Sequence, residues 1–273
     1  MMDYTKMNFH THTTYCDGKE SAENMVLAAI EKGFSRLGFS GHSYTAYDES
    51  YCMKKEEVSK YIEEVRALKE KYKHQIEIFC GVEQDYGSNY TTEPFDYVIG
   101  SVHAVEKNGM YYSVDDTASE FQRSVDEGFG GDVYAFIEEF YRCEANVVEK
   151  TNADIIGHFD LITKFNENHE FFDPKNKRYH DAAMEALCTL VKYDKPFEIN
   201  TGGMYRGLRS KPYPSIDLLK ELYQRGAKVM LSSDSHDGKS IGYQFEMVTK
   251  VIKEIGFDRV TIFGEDGFKE QKI

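Results

Sequence analysis

Residues 7–12 read MNFHTH, a short apolar run that ends in two histidines and sets the pattern for the rest of the chain. Alternate side chains of an extended strand project to the same side, so His10 and His12 can both reach one point. Asp17 follows in the segment YCDG, where an Asp-Gly turn can present a carboxylate beside the two imidazoles. Imidazole nitrogens and carboxylate oxygens are common metal ligands, so this first strand predicts one edge of a metal site.

Six further β-rich runs follow along the chain, and longer amphipathic segments separate many of them. Parallel strands joined by crossover helices produce this alternation. Helices are predicted after Ser21, a candidate N-cap, and across residues 54–72. The chain of 273 residues therefore predicts an α/β fold built as one barrel. The further strands are predicted at residues 36–42, 76–83, 95–103, 154–159, 196–200 and 228–234.

Two segments depart from this alternation. Residues 106–150 contain FGGDVYAFIEEFYRCEANVV, which predicts two helices around a Gly-rich turn, and we expect this insertion to form a cap above the strand ends. RVTIFG, at residues 259–264, predicts either an eighth strand or the imperfect closure of a seven-stranded barrel. Because no internal repeat or linker divides the chain, residues 1–273 are predicted to form a single domain.

Side chains that bind metals stand at or just beyond the C-terminal ends of the predicted strands. In a β/α barrel this face carries the active site. Together these residues exceed the roughly four to six neighbours of one such ion, so two or three divalent ions are predicted, with Glu83 and Asp234 as bridges. The predicted ligand set is His10, His12, Asp17, His42, Glu83, His103, His158, Asp234 and His236.

The composition bears on location and partners. The net charge is −14, so the field of the protein repels a nucleic-acid backbone and favours small substrates over polyanions. No apolar run is long enough to span a membrane, and the first residues lack the apolar stretch of a secretory signal. The five cysteines are scattered, which indicates reduced thiols. We therefore expect a cytoplasmic protein that binds neither membranes nor nucleic acid.

The ligand motifs resemble those of the polymerase and histidinol phosphatase (PHP) family over nearly the whole chain. Within that family, the segments YDESYCM, FGGDVYAFIEEFY and EINTGGMYRG resemble the histidinol-phosphate phosphatases. The resemblance implies a distorted (β/α)7 TIM-like barrel and a centre of three divalent ions, zinc, manganese or iron, at the C-terminal ends of the strands. Some relatives have a histidine where this chain has Asp17. The carboxylate of Asp17 is a harder ligand than imidazole, which favours manganese or iron. The matching motifs are His10-x-His12 with Asp17, SGHS at His42, GVEQDY at Glu83, GSVH at His103, IGHFD at His158, and SSDSH at Asp234 and His236.

The same resemblance implies hydrolysis of L-histidinol phosphate to L-histidinol and phosphate, a reaction of histidine biosynthesis. Metal-bound water is then expected to attack phosphorus in line with the leaving alkoxide. Asp160 is predicted to accept the ammonium or imidazole group of histidinol. The candidates for holding the phosphate are Arg206 and, after it, Arg209 and Lys164. The candidate catalytic residues are Asp234, His236 and His42.

Other functions share parts of this pattern. Another PHP phosphoesterase would use the same ligands on a different ester. A metal-dependent amidohydrolase can have a similar barrel and H-x-H opening, but it usually needs a modified lysine on strand four, and FDYVIGSVHAV contains none. Glu83 could bridge instead. A nuclease or polymerase-associated module calls for a basic surface, and a metal sensor would bind metal without releasing phosphate.

Overall fold

Short strands and longer helices alternate along residues 3–273, the part of the chain that the computed structural model describes. All strand pairs there are parallel except those of two hairpins, which confirms the predicted α/β class. The strands are β1 (Met7–Asn8), β2 (Arg36–Phe39), β3 (Glu77–Cys80), β4 (Val82–Asp85), β5 (Val98–Ser101), β6 (Ala104–Lys107), β7 (Met110–Ser113), β8 (Ile155–Ile156), β9 (Phe197–Asn200), β10 (Val229–Ser232), β11 (Arg259–Gly264) and β12 (Gly267–Lys272). The helices are α1 (Ala22–Glu31), α2 (Val58–Tyr72), α3 (Ala118–Arg123), α4 (Val133–Ala145), α5 (Val147–Thr151), α6 (Lys177–Leu190), α7 (Gly202–Tyr205), α8 (Ile216–Gln224) and α9 (Phe245–Ile255).

Two parallel sheets form the centre of the molecule. One has the order β1-β2-β3, and the other has the order β10-β9-β8-β5-β4. Two isolated parallel bridges connect the segments after β1 and β2 to the five-stranded sheet. They are Thr11↔Ser235, just after β10, and His42↔Glu83, within β4. Backbone hydrogen bonds connect the same segments. The amide of His12, for example, donates to the carbonyl of Ser235 at 2.8 Å. The C-terminal ends of strands from both sheets therefore lie side by side.

The strand predicted at residues 76–83 is two strands in the structure, because the backbone changes partner at Gly81. β3 pairs with β2, whereas β4 pairs with β5. A Cβ atom at Gly81 would lie 2.3 Å from Cζ of Tyr97, so only glycine lets the chain pass this buried ring. The hydroxyl of Tyr97 lies 2.6 Å from the carbonyl oxygen of Phe9 and 2.8 Å from that of Phe39. This break allows one stretch of chain to belong to both sheets.

The regular strands are shorter than predicted, and the difference falls at the ends that carry histidines. β1 stops at Asn8, so His10 and His12 lie in irregular backbone that keeps only the bridge at Thr11. Asp234 follows β10 with a φ of 45°, in the left-handed region. These departures aim side chains at a common point, which a continuous pleat cannot do for every residue.

Helices α1 and α2 follow from local sequence signals. The hydroxyl of Ser21 accepts a hydrogen bond from the amide of Asn24 at 3.3 Å, which is the predicted N-cap of α1. α2 begins at Val58, four residues later than residue 54, and its buried face includes Tyr61 and Val65. Both helices thus cover the sheets with an amphipathic face.

The segment at residues 106–150 contains more than the two expected helices. It includes most of the hairpin β6–β7, then α3, a π-helical turn at Ser124–Gly128, α4 and most of α5. Gly130 and Gly131, with φ of 62° and 84°, make the turn before α4. The hairpin has no counterpart in the sequence-based prediction.

The C-terminal segment forms an antiparallel hairpin, because β11 pairs with β12 from Arg259↔Lys272 to Gly264↔Gly267. RVTIFG therefore does not supply an eighth parallel strand. Its Phe263 packs against Phe9 at a ring separation of 5.8 Å, and the guanidinium of Arg36 donates to the carbonyl of Phe263 at 2.8 Å. The hairpin thus covers the end of the sheets opposite the histidines.

Two further facts concern the chain as a whole. All five cysteines are free thiols, as the sequence indicates. Among residues 3–273, no helix combines the length and the apolar character that a membrane crossing requires, and the longest, α2, has 15 residues.

Candidate metal centre

The structure brings all nine predicted ligands together. A cavity of about 300 Å³ opens at the C-terminal ends of the strands, and seven of the nine residues line it. The other two, His10 and His12, are completely buried and contact the cluster from behind. Segments as distant in sequence as strand β1 and the loop after β10 therefore meet in one site.

Glu83 lies at the centre of the cluster. Its Oε2 atom lies 3.2 Å from Nε2 of His10 and 2.9 Å from Nδ1 of His42. Its Oε1 atom lies 3.0 Å from Nε2 of His158 and 3.3 Å from Nε2 of His103. The two oxygens thus face different histidines, which is the arrangement of a bridging carboxylate.

Asp234 links the buried histidines to the phosphate candidate. Its Oδ1 atom lies 3.2 Å from Nε2 of His12, and its Oδ2 atom accepts a hydrogen bond from Arg206 at 3.0 Å. The left-handed backbone of Asp234 costs on the order of 1–3 kcal/mol in a residue other than glycine. The surrounding contacts offset this strain, so the structure holds the carboxylate in a place that ordinary backbone would not give it.

Asp17 and His236 form the outer side of the cluster. Nε2 of His236 lies 3.1 Å from one oxygen of Asp17, and Nε2 of His42 lies 3.6 Å from the other. The rings of His236 and His12 stack with their centres 4.1 Å apart. Asp17 is 35% exposed, so this side opens towards solvent.

Three overlapping groups of ligands emerge from these contacts. Within each group, one ligand atom from each residue lies within 4.8 Å of the others. Shared residues connect the groups, as expected of a cluster in which neighbouring ions have common ligands. The groups are His12, Asp17, His42 and His236; His10, His12 and Asp234; and His42, Glu83 and His103.

The hydrogen bonds of the imidazoles fit a metal centre. Nδ1 of His10 lies 2.9 Å from Glu198, and Nδ1 of His103 lies 3.0 Å from Asp85. An ionised carboxylate can only accept, so each Nδ1 carries a proton. The surrounding carboxylates outweigh burial and hold the pKa of His10 and His103 well above 6.5, so each Nε2 also carries a proton that a bound cation would displace. A carboxylate behind a histidine is typical of metal ligation.

Several buried atoms of the cluster have no hydrogen-bond partner in residues 3–273. Buried polar atoms are normally satisfied, because an unmade hydrogen bond costs about 1–3 kcal/mol. A divalent ion would satisfy these atoms at once, and the donor set of imidazoles and carboxylates suits zinc, manganese or iron. They are Nε2 of His10, Nε2 of His12, Nδ1 of His42, Oε2 of Glu83 and Nδ1 of His158.

The pKa values of the cluster reflect its alternating charges. Burial alone would raise the pKa of Glu83, but His10, His42 and His103 lower it well below its ordinary value. Burial lowers the pKa of His12 to about 3, and the neighbouring His236 and His42 add to this effect. Glu83 is therefore ionised and His12 neutral near pH 7, which are the forms that bind metals.

Comparison with known proteins agrees with this geometry. The PHP domain family matches residues 8–202, more than half of the chain. The chain belongs to the PHP domain family. A protein of Deinococcus radiodurans named "Probable histidinol-phosphatase" is 29% identical over 265 residues, which cover 92% of this chain and 94% of the relative.

Solved structures show the same fold as this PHP-domain protein. A crystal structure from Listeria monocytogenes has a TM-score of 0.76 at 23% identity and covers 88% of this chain and 99% of its own. The histidinol phosphate phosphatase of Lactococcus lactis, complexed with zinc, L-histidinol and phosphate, has a TM-score of 0.67 at 22% identity. The match covers 97% of this chain and 99% of the Lactococcus lactis chain. The fold of the PHP domain thus extends beyond residue 202 to the segment that carries Asp234 and His236.

The four substrate candidates of this PHP domain separate into two pairs. Arg206 and Lys164 line the cavity of the ligand cluster. Asp160 and Arg209 are not among its lining residues. Asp160 is fully buried and accepts a hydrogen bond from the amide of Ser215 at 2.9 Å, while Arg209 donates to the carbonyl and hydroxyl of Thr163. The structure thus places Asp160 and Arg209 in the supporting loops, away from the site.

Sequence reasoning missed several residues that support this PHP domain site. Glu198 and Asp85 hold the outer nitrogens of His10 and His103. Asp115 lies at the cavity and accepts a hydrogen bond from Lys164 at 2.9 Å. A signal for Glu198 was present, because a charged residue inside the apolar strand PFEIN has to point towards a partner. Asp85 and Asp115 stand in segments without such a pattern.

Proposed function

We propose that this protein is a metal-dependent phosphomonoesterase that hydrolyses L-histidinol phosphate to L-histidinol and phosphate. The observation that carries the proposal is that two cationic side chains, Arg206 and Lys164, line the same cavity as the nine-residue ligand cluster of a PHP domain. Metal ligands next to fixed cations suit a phosphate dianion. The similarity to a relative named histidinol-phosphatase supports the choice of ester.

In this proposal the ligand cluster holds three divalent ions, with Glu83 and Asp234 between neighbouring ones. The three overlapping ligand groups support that number. When bound, such ions supply Lewis acidity and lower the pKa of bound water into the neutral range. Asp17 contributes hard oxygen ligands on the open side, which suits manganese or iron as well as zinc.

Arg206 and Lys164 bind the phosphate group. One Nη atom of Arg206 is held by Asp234, so the rest of its planar fork is oriented for a phosphate oxygen. The ammonium of Lys164 is held by the carbonyl of Asp115 at 2.6 Å and by its carboxylate at 2.9 Å. Both cations are therefore preorganised, and little side-chain entropy is lost when phosphate binds.

Asp234, His236 and His42 are the proposed catalytic residues. Asp234 combines a strained backbone with contacts to both a ligand histidine and Arg206, which orients its oxygens towards the reacting group. His236 and His42 direct Nε2 atoms towards Asp17 at the open side, so they would hold there the ions that activate the attacking water and stabilise the leaving oxygen.

The architecture is part of the proposal. We infer that residues 1–273 form one domain, a distorted seven-stranded TIM-like barrel with a cap at residues 106–150. Residues 1 and 2 lie outside the described residues. The parallel bridges Thr11↔Ser235 and His42↔Glu83 support closure, because each connects a segment that follows a strand of the three-stranded sheet to an edge of the five-stranded sheet. A small phosphate ester is the partner, and the net charge of −14 disfavours nucleic acid.

The proposal is tested by phosphate release from histidinol phosphate and from a panel of sugar, nucleotide and amino-alcohol phosphates, with metal content measured in parallel. We expect the highest kcat/KM for histidinol phosphate, loss of activity after chelation, and recovery when zinc, manganese or iron is restored. Full activity in metal-free protein would contradict the metal-dependent mechanism. A clear preference for another ester would indicate a different PHP phosphoesterase.

A further inference from the structure

A cavity of about 580 Å³ lies between helix α6, the start of α8 and two loops, at residues 163–169 and 209–211. We call this space the α6–α8 cavity. None of its lining residues lines the cavity of the metal centre. Arg209, which the sequence suggested as a phosphate ligand, belongs to the lining of the α6–α8 cavity instead. The volume suits a small molecule, and the proposed function gives this cavity no role.

The guanidinium of Arg209 supplies a buried donor at the wall of the α6–α8 cavity. The side chain is only 8% exposed. One Nη atom donates to the carbonyl of Thr163 at 2.9 Å, but Nε has no hydrogen-bond partner in residues 3–273. Oε2 of Glu167 lies 3.5 Å from Nε, and the other oxygen of Glu167 accepts from the amide of Ser210. Because a buried donor without a partner is costly, an acceptor oxygen from a ligand would stabilise Arg209.

The N-terminus of α8 lies at the same cavity and is independent of Arg209. Ser215, Ile216 and Leu218 line the cavity, and the hydroxyl of Ser215 makes no capping hydrogen bond. The carboxylate of Asp217 is 93% exposed and pairs with Lys220 at 3.1 Å, so it does not replace the missing cap. The first amides of a helix have no acceptor within the helix, and the helix dipole makes this end positive. α8 therefore offers uncapped amides to an anion.

The charged side chains of the lining leave one cation uncompensated. Lys211 lines the cavity, is exposed and makes no ion pair within the described residues. Every carboxylate of the lining, in contrast, already has a partner. The partners are the amide of Ser210 for Glu167, Lys220 for Asp217, and Arg225 for Glu221. A ligand in the cavity therefore faces a donor, a helix N-terminus and a free ammonium group, all of which favour an anion.

Apolar and aromatic side chains form much of the floor of the α6–α8 cavity. Tyr179, Ala183 and Leu218 are buried there, and Met184 is partly buried against the core. A hydrated inorganic ion gains nothing from such a surface, whereas an organic molecule does. Glu167 lies close enough to Arg209 to repel a second negative charge. The lining thus suits a carboxylate on an apolar body better than a phosphate dianion.

We propose that the α6–α8 cavity binds a small organic molecule that carries one carboxylate on an apolar body. The carboxylate accepts hydrogen bonds from Nε of Arg209 and from the uncapped amides of α8, and Lys211 attracts it through solvent. The apolar body contacts Ala183 and Met184. Such a site needs neither metal ions nor a phosphate ester, so it is additional to the proposed function.

Calorimetry of the metal-loaded protein tests the proposal, with 3-phenylpropionate as the probe. Inorganic phosphate in excess occupies the metal centre, so that the probe does not bind there. We expect saturable binding of the probe, with a Kd that excess phosphate changes by less than about twofold. 3-Phenylpropanol has the same body without the charge and should bind about tenfold more weakly. Loss of probe binding in excess phosphate, or equal binding of the alcohol, would overturn the proposal.

Two variants separate the contribution of the donor from that of the charge. Arg209→Lys keeps a positive charge but lacks the Nε–H donor, and we expect a Kd about tenfold higher. Lys211→Glu reverses the charge of an exposed side chain, and we expect a Kd about fivefold higher. Lys60→Glu, at an exposed position on α2 outside the lining, is the matched control and should bind the probe like the wild type.

Because Lys211 is exposed, its variant tests the site even where Arg209→Lys fails to fold. Absence of saturable binding by the wild type, or an unchanged Kd in Lys211→Glu, would overturn the assignment of the α6–α8 cavity. Failure of the proposed function gives a different result, since phosphate release would then be absent while binding of the probe and its dependence on Lys211 persist.

Discussion

The two ends of the parallel sheets differ in how their buried polar atoms are hydrogen-bonded. At one end, apolar side chains pack together with rings in edge-on contact, and the hydroxyl of Tyr97 contacts backbone carbonyls. At the other end, histidines and carboxylates include five buried atoms without a hydrogen-bond partner in residues 3–273. The apolar residues of the first end are Met7, Phe9, Phe79, Tyr97, Ile99, Ile155, Met230 and Phe263.

The difference separates the end of the sheets that stabilises the fold from the end that carries the candidate site. The apolar end is complete within the chain, so its packing contributes to folding without help. The ligand end is incomplete, because five of its buried atoms lack a hydrogen-bond partner within residues 3–273 and a bound cation would satisfy them. Phe9 and His10 are adjacent in sequence but belong to opposite ends. Substitutions in the same strands can therefore test each end separately.

The largest effect is expected at the ligand end, for Asp234→Asn. The substitution removes a charge that faces His12 and Arg206, and we expect kcat/KM to fall on the order of a thousandfold or more. Metal content by mass spectrometry should fall as well. The matched control Asp258→Asn, at an exposed position, should retain full activity. An active Asp234→Asn variant with full metal content would show that this end is structural.

A large effect of the opposite kind is expected at the apolar end, for Phe263→Ala. Phe263 contacts the rings of Phe9, Phe79 and Tyr97, and its truncation should lower the free energy of unfolding by about 3–5 kcal/mol. kcat of the folded variant should remain close to that of the wild type. Denaturant unfolding and kinetics measure the two quantities. Phe268→Ala, a partly buried neighbour on the same hairpin, should cost less. A loss of kcat without loss of stability would break the comparison.

A smaller effect is expected behind the ligands, for Glu198→Gln. Glu198 accepts hydrogen bonds from Nδ1 of His10, the amide of His158 and the side chain of Asn200. Glutamine has one acceptor oxygen and must abandon part of this set, so metal affinity and kcat/KM should fall about 10–100-fold. Metal titration measures the first quantity. Glu270→Gln, at an exposed position, is the control, and an unchanged affinity in Glu198→Gln would contradict the positioning role.

The smallest and pH-dependent effect is expected for Glu144→Gln. Glu144 on α4 is as buried as Glu83, but neither of its oxygens has a hydrogen-bond partner in the described residues, and burial raises its pKa well above 4.5. Raising the folded-state pKa of a carboxyl means that its contribution to stability is fully present below pH 4.5 and is lost as pH rises towards the folded pKa. The variant should therefore become more stable than the wild type as pH increases.

Thermal unfolding of both proteins between pH 5 and 8, in the presence of chelator, measures this difference. Chelator removes the metal contribution, so the comparison isolates Glu144. A stability difference that does not change with pH would mean that Glu144 has a cationic neighbour after all. Histidines surround Glu83 and shift its pKa in the opposite direction. The pKa of a buried carboxylate here therefore depends on whether it contacts histidines, as Glu83 does, or has no hydrogen-bond partner in the described residues, as Glu144 has none.

Much of the site was predictable from short segments. Each ligand stands at or soon after the end of a predicted strand, and parallel strands place those ends along one edge whatever the loops between them do. The pairs His10 and His12, and Asp234 and His236, were predicted from their two-residue spacing, although the backbone that carries them is irregular. Arg206 and Lys164 followed from family resemblance and lie at the cavity.

Other features depended on contacts between distant segments. The partner change at Gly81 follows from the ring of Tyr97, and the C-terminal hairpin follows from the pairing of residues 259–272 with themselves. The displacement of Asp160 and Arg209 from the site depends on loops whose course has no periodic signal. The stacking of Tyr111 on Tyr47 depends on the hairpin β6–β7, which has no counterpart in the sequence-based prediction.

The sequence by itself determined the fold class, the set of candidate metal ligands and the end of the sheets where they stand. The tertiary structure decided which oxygen faces which imidazole, which carboxylates support the histidines, and which cations reach the cavity. The physical reason is the sequence separation over which each property is set. Strand period and parallel direction are local properties of the backbone, whereas distances between side chains far apart in sequence depend on the packing of every segment between them.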